Sequence, residues 1–247
     1  MSAETIGDSG RPIFCAAVRH FWGTRDRQLK AQRARGAADR GARAAVTGGK
    51  QMNGFVDEIV RRLRSVGVEQ GDIYTGQRKD VPGFYRPTKE WDILVVGAGG
   101  LVAAIELKSQ VGPSFGNNLN NRTEEALGSA VDLWTAYREG AFQTSPRPWL
   151  GYVFLLEDCP QSRSPVAVRE SHFRVFPEFR EASYANRYEL LCRRLVLERQ
   201  YDAACFITAD RRRAEIERNY DEPARDLSVG QFVSQLLTQV GKLQRGP

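Results

Sequence analysis

Histidine is almost missing. The 247 residues contain two, His20 and His172, and neither has a neighbour at metal-ligand spacing. The four cysteines, Cys15, Cys159, Cys192 and Cys205, are scattered without a Cys-x-x-Cys pair. A zinc site or a disulfide framework is therefore not expected, and the thiols read as reduced filler in a cytoplasmic chain. No stretch approaches the roughly 18 apolar residues of a membrane span. The opening residues, MSAETIGDSGRPIF, lack a basic segment followed by an apolar one, so they do not read as a secretory signal. Neither an internal repeat nor a low-complexity tract is present, and no membrane partner is expected.

Lysine is scarce as well. Of the 36 basic residues 30 are Arg and only 6 are Lys, against 30 acids, which leaves a net charge of +6. Arg presents a planar fork that fits phosphate oxygens and guanine edges. The excess suits a polyanionic partner, and equally a GC-rich coding sequence. With 41% apolar residues the chain can bury a real core, as one large domain or two small ones.

Residues 11–43 hold eight Arg and Lys30 against Asp26 and Asp39. Phe14, Val18, Phe21 and Trp22 recur at helical spacing, which predicts a helix with one apolar stripe, until Gly36, Gly41, Gly48 and Gly49 break the pattern. Residues 1–50 thus read as a basic N-terminal helical arm, either lying on nucleic acid or simply solvated. A second helix carries Met52, Phe55, Val56, Ile59, Val60 and Leu63 and ends at Gly67. A short strand follows near Asp72–Thr75, then a polar connection, QRKDVPGFYRPTKE. Trp91–Val96 and Leu101–Lys108 read as strands joined by Gly97-Ala98-Gly99-Gly100, an antiparallel hairpin. A polar loop then precedes a helix capped by Thr123, with Ala126, Leu127, Ala130, Val131, Trp134 and Tyr137 as its stripe. A strand at Trp149–Leu156 comes next, followed by a helix near Tyr184–Gln200 and a strand near Ala203–Thr208. The last helix carries Phe232, Val233, Leu236, Leu237 and Val240. This order implies an α/β fold, a mixed central sheet flanked by helices.

The hairpin carries the chemistry. Asp92 opens its first strand, and Glu106 and Lys108 close the second on one face. Charged groups next to Leu101-Val102-Ala103-Ala104-Ile105 are costly unless paired, hydrated or metal-bound. The hairpin returns Asp92 to within reach of Glu106. Two carboxylates and the carbonyl of Leu107 offer hard oxygens to Mg²⁺, and Lys108 can orient a water or stabilise developing charge. That set suits metal-assisted phosphodiester hydrolysis. An ion pair at a strand end is the alternative.

The helix, the meander with Asp and Glu-x-Lys, and the following helix and strand resemble the PD-(D/E)xK nuclease core. The segments Gly83–Asp92, Glu106–Asn118, Asn121–Glu125 and Asp132–Gly140 resemble type II restriction endonucleases of the XhoI family. The resemblance implies a single endonuclease domain over 1–247, with the catalytic core at 51–156. It implies Mg²⁺-dependent cleavage of double-stranded DNA at CTCGAG after the first C, leaving four-base 5′ overhangs. Asp92, Glu106 and Lys108 inherit the catalytic roles, and Glu58 or Asp57 would add an acid from the first core helix. A palindromic site implies a homodimer, and a restriction enzyme implies a cognate DNA methyltransferase. Asn117, Asn118, Asn120, Asn121 and Arg122, in a long loop after the catalytic strand, read as base or phosphate contacts or as ordinary turn residues. Arg86 and Lys89 are candidates for phosphate contact. The competing readings are a structure-specific or repair nuclease of the same superfamily, and a non-catalytic DNA-binding module.

Overall fold

The computed structural model describes residues 12–34 and 49–244. The glycine-rich part of the expected arm, residues 35–48, lies outside them. Cys15–Ala34 forms α1, and Phe14, Val18, Phe21 and Trp22 are all buried. This basic helix is therefore built into the body of the fold by its apolar stripe. A single 3₁₀ turn leads into α2 (Asn53–Ser65), which buries Phe55, Ile59 and Leu63. Phe14 and Phe55 meet edge-on with ring centres 5.0 Å apart.

Ile73–Tyr74 is β1. Asp80–Pro82 (β2) and Thr88–Glu90 (β3) pair antiparallel as a separate two-stranded ribbon. The sequence suggests only an irregular connection there. Pro82, Gly83 and Pro87 hide so short a ladder, because Pro offers it no N–H. β4 (Ile93–Gly97) and β5 (Gly100–Gln110) form the expected antiparallel hairpin. β6 (Trp149–Glu157) adds parallel to β5, and β7 (Ala203–Ala209) parallel to β6. The main sheet runs β1-β4-β5-β6-β7, antiparallel on one side of β5 and parallel on the other.

The crossovers supply the helices. α3 (Phe115–Arg138) joins β5 to β6. A single turn, α4 (Pro160–Arg163), and then α5 (Tyr184–Leu197) join β6 to β7, and α6 (Val229–Gln244) follows. Strand residues alternate between two cores. Ile93, Val95, Ile105, Leu107, Val153 and Ile207 pack with α1, α2 and α6. Leu94, Ala104, Tyr152, Phe154 and Phe206 pack with α3 and α5. Coverage on both faces explains why β6 and β7 read as near-continuous apolar runs.

The start of α3 departs from the sequence reading. It begins at Phe115, so the Asn-rich stretch is helix and not loop, and Thr123 is no cap. Its hydroxyl donates to the Leu119 carbonyl at 2.9 Å, inside the helix. Phe115 is buried and stacks on Tyr184 with centres 5.5 Å apart. Leu119, Ala126, Ala130 and Leu133 continue the same packed stripe. That burial overrides the turn preference of Asn and Gly.

The hairpin turn is pinned at Gly100, where φ is +112° and an added Cβ would lie 2.5 Å from the Ser145 hydroxyl. Gly100→Ala is expected to destabilise the protein by roughly 1–3 kcal/mol. Urea denaturation measures this, and an unchanged midpoint would show that the turn does not need glycine. Among the described residues no helix is long and apolar enough to cross a membrane.

Candidate active site

Hairpin geometry decides which acids meet. Gly97 faces Gly100 and Val96 faces Leu101 at the turn. Continued without a break, that register would set Asp92 opposite Ile105 and turn it to the wrong face. A bulge between Val95 and Val96 shifts the pairing by one residue, so that Ile93 faces Ile105. Asp92 then lies beside Glu106, on the face covered by α3 and α5. Such bulges re-aim side chains next to functional sites. The Asp92 N–H donates to the Ile105 carbonyl at 3.1 Å, and the Leu107 N–H donates to Asp92 Oδ2 at 2.7 Å.

Glu106 is only 4% exposed. Two ammonium groups hold it: Lys89 Nζ lies 2.9 Å from Oε2, and Lys108 binds Oε1. Lys89 also sits 4.5 Å above the centre of the Trp91 ring, a cation–π contact. Burial alone would push the Glu106 carboxyl up, but Lys108 and Lys89 outweigh it and hold it below the usual range. Burial, seconded by the Glu106 charge, pushes Asp92 up. Burial would lower Lys108, yet Glu106 and Asp92 keep it above its ordinary value. The pocket thus combines two hard carboxylates, one of them short of compensating charge, with ammonium groups beside them. Those donors fit a hard divalent cation that keeps part of its water shell.

Other expected residues fall differently. Glu58 pairs with Arg61 and Arg62 on α2. Phe55 and Ile59 of that helix pack against the sheet face opposite Glu106. Among the described residues no three His, Cys, Asp or Glu side chains gather at metal-binding spacing, so Glu58 stands apart from Asp92 and Glu106. Lys89, read from sequence as a candidate phosphate contact, points into the site and pairs with Glu106. Arg86 is committed to Asp132, Nε to Oδ2 at 2.7 Å. Asn117, Asn120 and Asn121 are exposed at the start of α3, and Asn118 is half-buried. Their spacing of three and four sets the exposed three on one helical side. Arg122 pairs with Glu125, and its Nε is buried without a partner, as are the hydroxyls of Tyr152 and Tyr188.

Sequence reasoning missed Asp132. It interrupts the apolar stripe of α3 between Ala130 and Leu133, and an acid in such a stripe is the signal that could have found it. The residue is 1% exposed. Oδ1 accepts the N–H groups of Phe84 and Tyr85, each at 2.8 Å. Burial would push its carboxyl up, but the hydrogen bonds from Tyr85, Arg86 and Phe84 outweigh burial and hold it below the usual range. A carboxylate depressed in this way stabilises the fold above its unfolded value of about 4, and the contribution drains away as pH falls through the lower folded value. Asp132→Asn should therefore flatten the loss of stability below about pH 4. Melting temperatures across that acid range check it, and a slope equal to the wild type's would remove the charge from the clamp.

A mixed sheet whose antiparallel hairpin brings Asp92 to Glu106 and Lys108, followed by a crossover helix and a parallel strand, has the architecture of a restriction-endonuclease-like nuclease core. The chain belongs to the XhoI family of type II restriction endonucleases: the family described as "Restriction endonuclease XhoI" matches residues 31–221. The chain is 55% identical over 207 residues to the type II restriction enzyme BstVI of Geobacillus stearothermophilus, covering 82% of this chain and 92% of that one. It is 46% identical over 183 residues to the type II restriction enzyme XhoI of Xanthomonas vasicola, covering 73% of each. With the type II restriction enzyme AbrI of Azospirillum brasilense the identity is 48% over 159 residues, 64% of this chain and 71% of that one. No solved structure matches the chain significantly.

Proposed function

We propose that this protein hydrolyses double-stranded DNA at CTCGAG after the first C, leaving four-base 5′ overhangs, with Asp92, Glu106 and Lys108 as its catalytic set. The observation that carries the chemistry is the bulged register that brings Asp92 beside the doubly paired Glu106. The site sequence and cut position rest on membership of the XhoI family. The whole chain acts as one endonuclease domain. Two copies related by a two-fold axis place one site on each strand of the palindrome. A cognate methyltransferase would protect the same sequence in the cytoplasm of the host.

Asp92 and Glu106 would hold Mg²⁺, with the Leu107 carbonyl as a third oxygen, and the ion would supply Lewis acidity at the scissile phosphate. Glu106 must first loosen its hold on an ammonium group. Lys108, freed from Oε1, faces the phosphate and can orient the attacking water or stabilise the charge that develops. Lys89 stays on Trp91 and keeps Glu106 oriented. The exposed Asn117, Asn120 and Asn121 offer amides suited to adenine edges from the first turns of a helix, and Arg122 adds a guanidinium beside them.

Digestion of a plasmid of known sequence with Mg²⁺, followed by mapping of the ends, tests this reading. Discrete ends at CTCGAG with four-base 5′ overhangs are expected. Smeared or structure-dependent ends would favour a repair nuclease, and no cutting at all a binding module.

A further inference from the structure

The turn between β2 and β3 exposes two aromatic side chains side by side. Phe84 is 52% and Tyr85 70% exposed, with ring centres 5.2 Å apart and planes at 83°. Nothing in the core explains them, yet the turn that carries them is held rigidly. Asp132, buried on α3, takes both of their N–H groups and the Arg86 guanidinium. Gly83 leaves no room for a side chain, since an added Cβ would lie 2.6 Å from Asp132 Oδ2 and 2.7 Å from the Arg86 carbonyl. A buried carboxylate spent on fixing the backbone of an exposed aromatic pair marks a surface prepared for contact, because preorganisation removes the entropy cost of ordering on binding.

The position identifies the partner. The ribbon pairs Val81 with Lys89 and Pro82 with Thr88, and Lys89 touches Glu106 in the candidate site. From Lys89 to Tyr85 the chain could span at most roughly 13 Å if fully extended, and the bends at 84–87 shorten it. Duplex DNA advances about 3.4 Å per step along a strand, so the tip lies within about four base pairs of a phosphate held at Glu106. Arg78, which is exposed, and Lys79 lead into the ribbon, and with Arg86 and Lys89 they outnumber Asp80 and Glu90, so residues 78–90 carry the net sign that DNA attracts.

Resting on the restriction-endonuclease reading above, we propose that the Phe84–Tyr85 tip is a preorganised DNA-reading element of this protein. Tyr85, the more exposed ring, presses into a groove of the duplex against base edges within about four base pairs of the cut, and Phe84 buttresses it edge-on. Asp132 is a positioning residue for the tip, and Arg86 serves the clamp. Apolar contact of this kind discriminates base edges and groove shape and adds little to phosphate attraction.

Equilibrium binding tests the tip, with Ca²⁺ in place of Mg²⁺ so that DNA is held uncut. The probes are a 20-base-pair duplex carrying the sequence mapped at the wild-type ends, CTCGAG as expected, and one carrying GAGCTC at the same place. Phe84→Ala/Tyr85→Ala should weaken binding to the first duplex about tenfold or more and to the second by less than about twofold. Its melting temperature should match the wild type's, because both rings are exposed. Tyr85→Phe should keep most of the preference. Unchanged binding to the mapped duplex, equal losses on both duplexes, or a loss explained by dissociation of a dimer in sedimentation equilibrium would each overturn the inference. A wild-type protein that neither cuts nor prefers any sequence fails the restriction reading itself. A wild type that prefers its site while the double variant keeps the same preference fails the tip alone.

Discussion

Lys108→Ala is expected to slow DNA cleavage by about 10³-fold while DNA binding changes by only a few-fold. The split follows from where Lys108 sits. Its ammonium binds Glu106 Oε1 and feels the Asp92 charge, which on the proposed mechanism would set it where the scissile phosphate approaches. It is one cation among many on a chain with net charge +6, so its loss barely alters the attraction that governs binding. Folding should survive, because Glu106 keeps Lys89 as a partner at 2.9 Å. Single-turnover cleavage with Mg²⁺ and equilibrium binding with Ca²⁺ measure the two effects. Cleavage within tenfold of the wild type would remove Lys108 from the chemistry. A parallel loss of binding would make it a phosphate anchor.

Glu106→Gln should have a larger and different effect. Cleavage should fall by about 10⁴-fold or more, because a proposed metal ligand and the organiser of two lysines go together. The substitution also leaves the Lys89 and Lys108 ammonium groups facing each other without a carboxylate. Breaking a buried ion pair by removing one partner costs about 3–5 kcal/mol. The lysines retain some exposure and can turn towards water, so a loss nearer 2–3 kcal/mol is expected. Adding Lys89→Met removes one stranded charge. The double variant should regain part of the stability and none of the activity, a coupling that a double-mutant cycle reads directly. Urea midpoints and cleavage rates of the three variants provide the test. Wild-type stability in the single variant would show that the ion pairs contribute nothing to the fold, and residual activity near the wild type's would remove Glu106 from the site.

How far the sequence goes can be judged residue by residue. The covered sheet is legible, because Ile93–Val96, Leu101–Ile105 and Trp149–Leu156 are nearly continuous apolar runs and stripes such as Phe55, Ile59 and Leu63 have helical spacing. The meeting of Asp92 and Glu106 is legible as proximity, since any hairpin turning at Gly97–Gly100 brings them back together. The correct face is not legible, because it depends on a one-residue bulge at Val95/Val96 with no turn residue to announce it. The inward aim of Lys89 is hidden for a related reason. It requires a ribbon whose prolines argue against a strand. The Asn-rich start of α3 misleads in the other direction, because local turn preference yields to burial of Phe115 and Leu119. Asp132 shows the general limit. An acid in an apolar stripe signals a special role, but its partners, Phe84, Tyr85 and Arg86, lie far away in sequence and come from the fold.

The most direct test of the central claim, that Asp92 and Glu106 form one metal site with Lys108 beside it, is affinity cleavage of the protein itself. Fe²⁺ replaces Mg²⁺ at oxygen-rich sites, and with ascorbate and peroxide it generates radicals that cut the backbone nearby. Two clusters of cuts, around residue 92 and around residues 106–108, are expected, suppressed by excess Mg²⁺ and absent in Glu106→Gln. Cuts concentrated elsewhere, or a pattern that Glu106→Gln leaves unchanged, would contradict it.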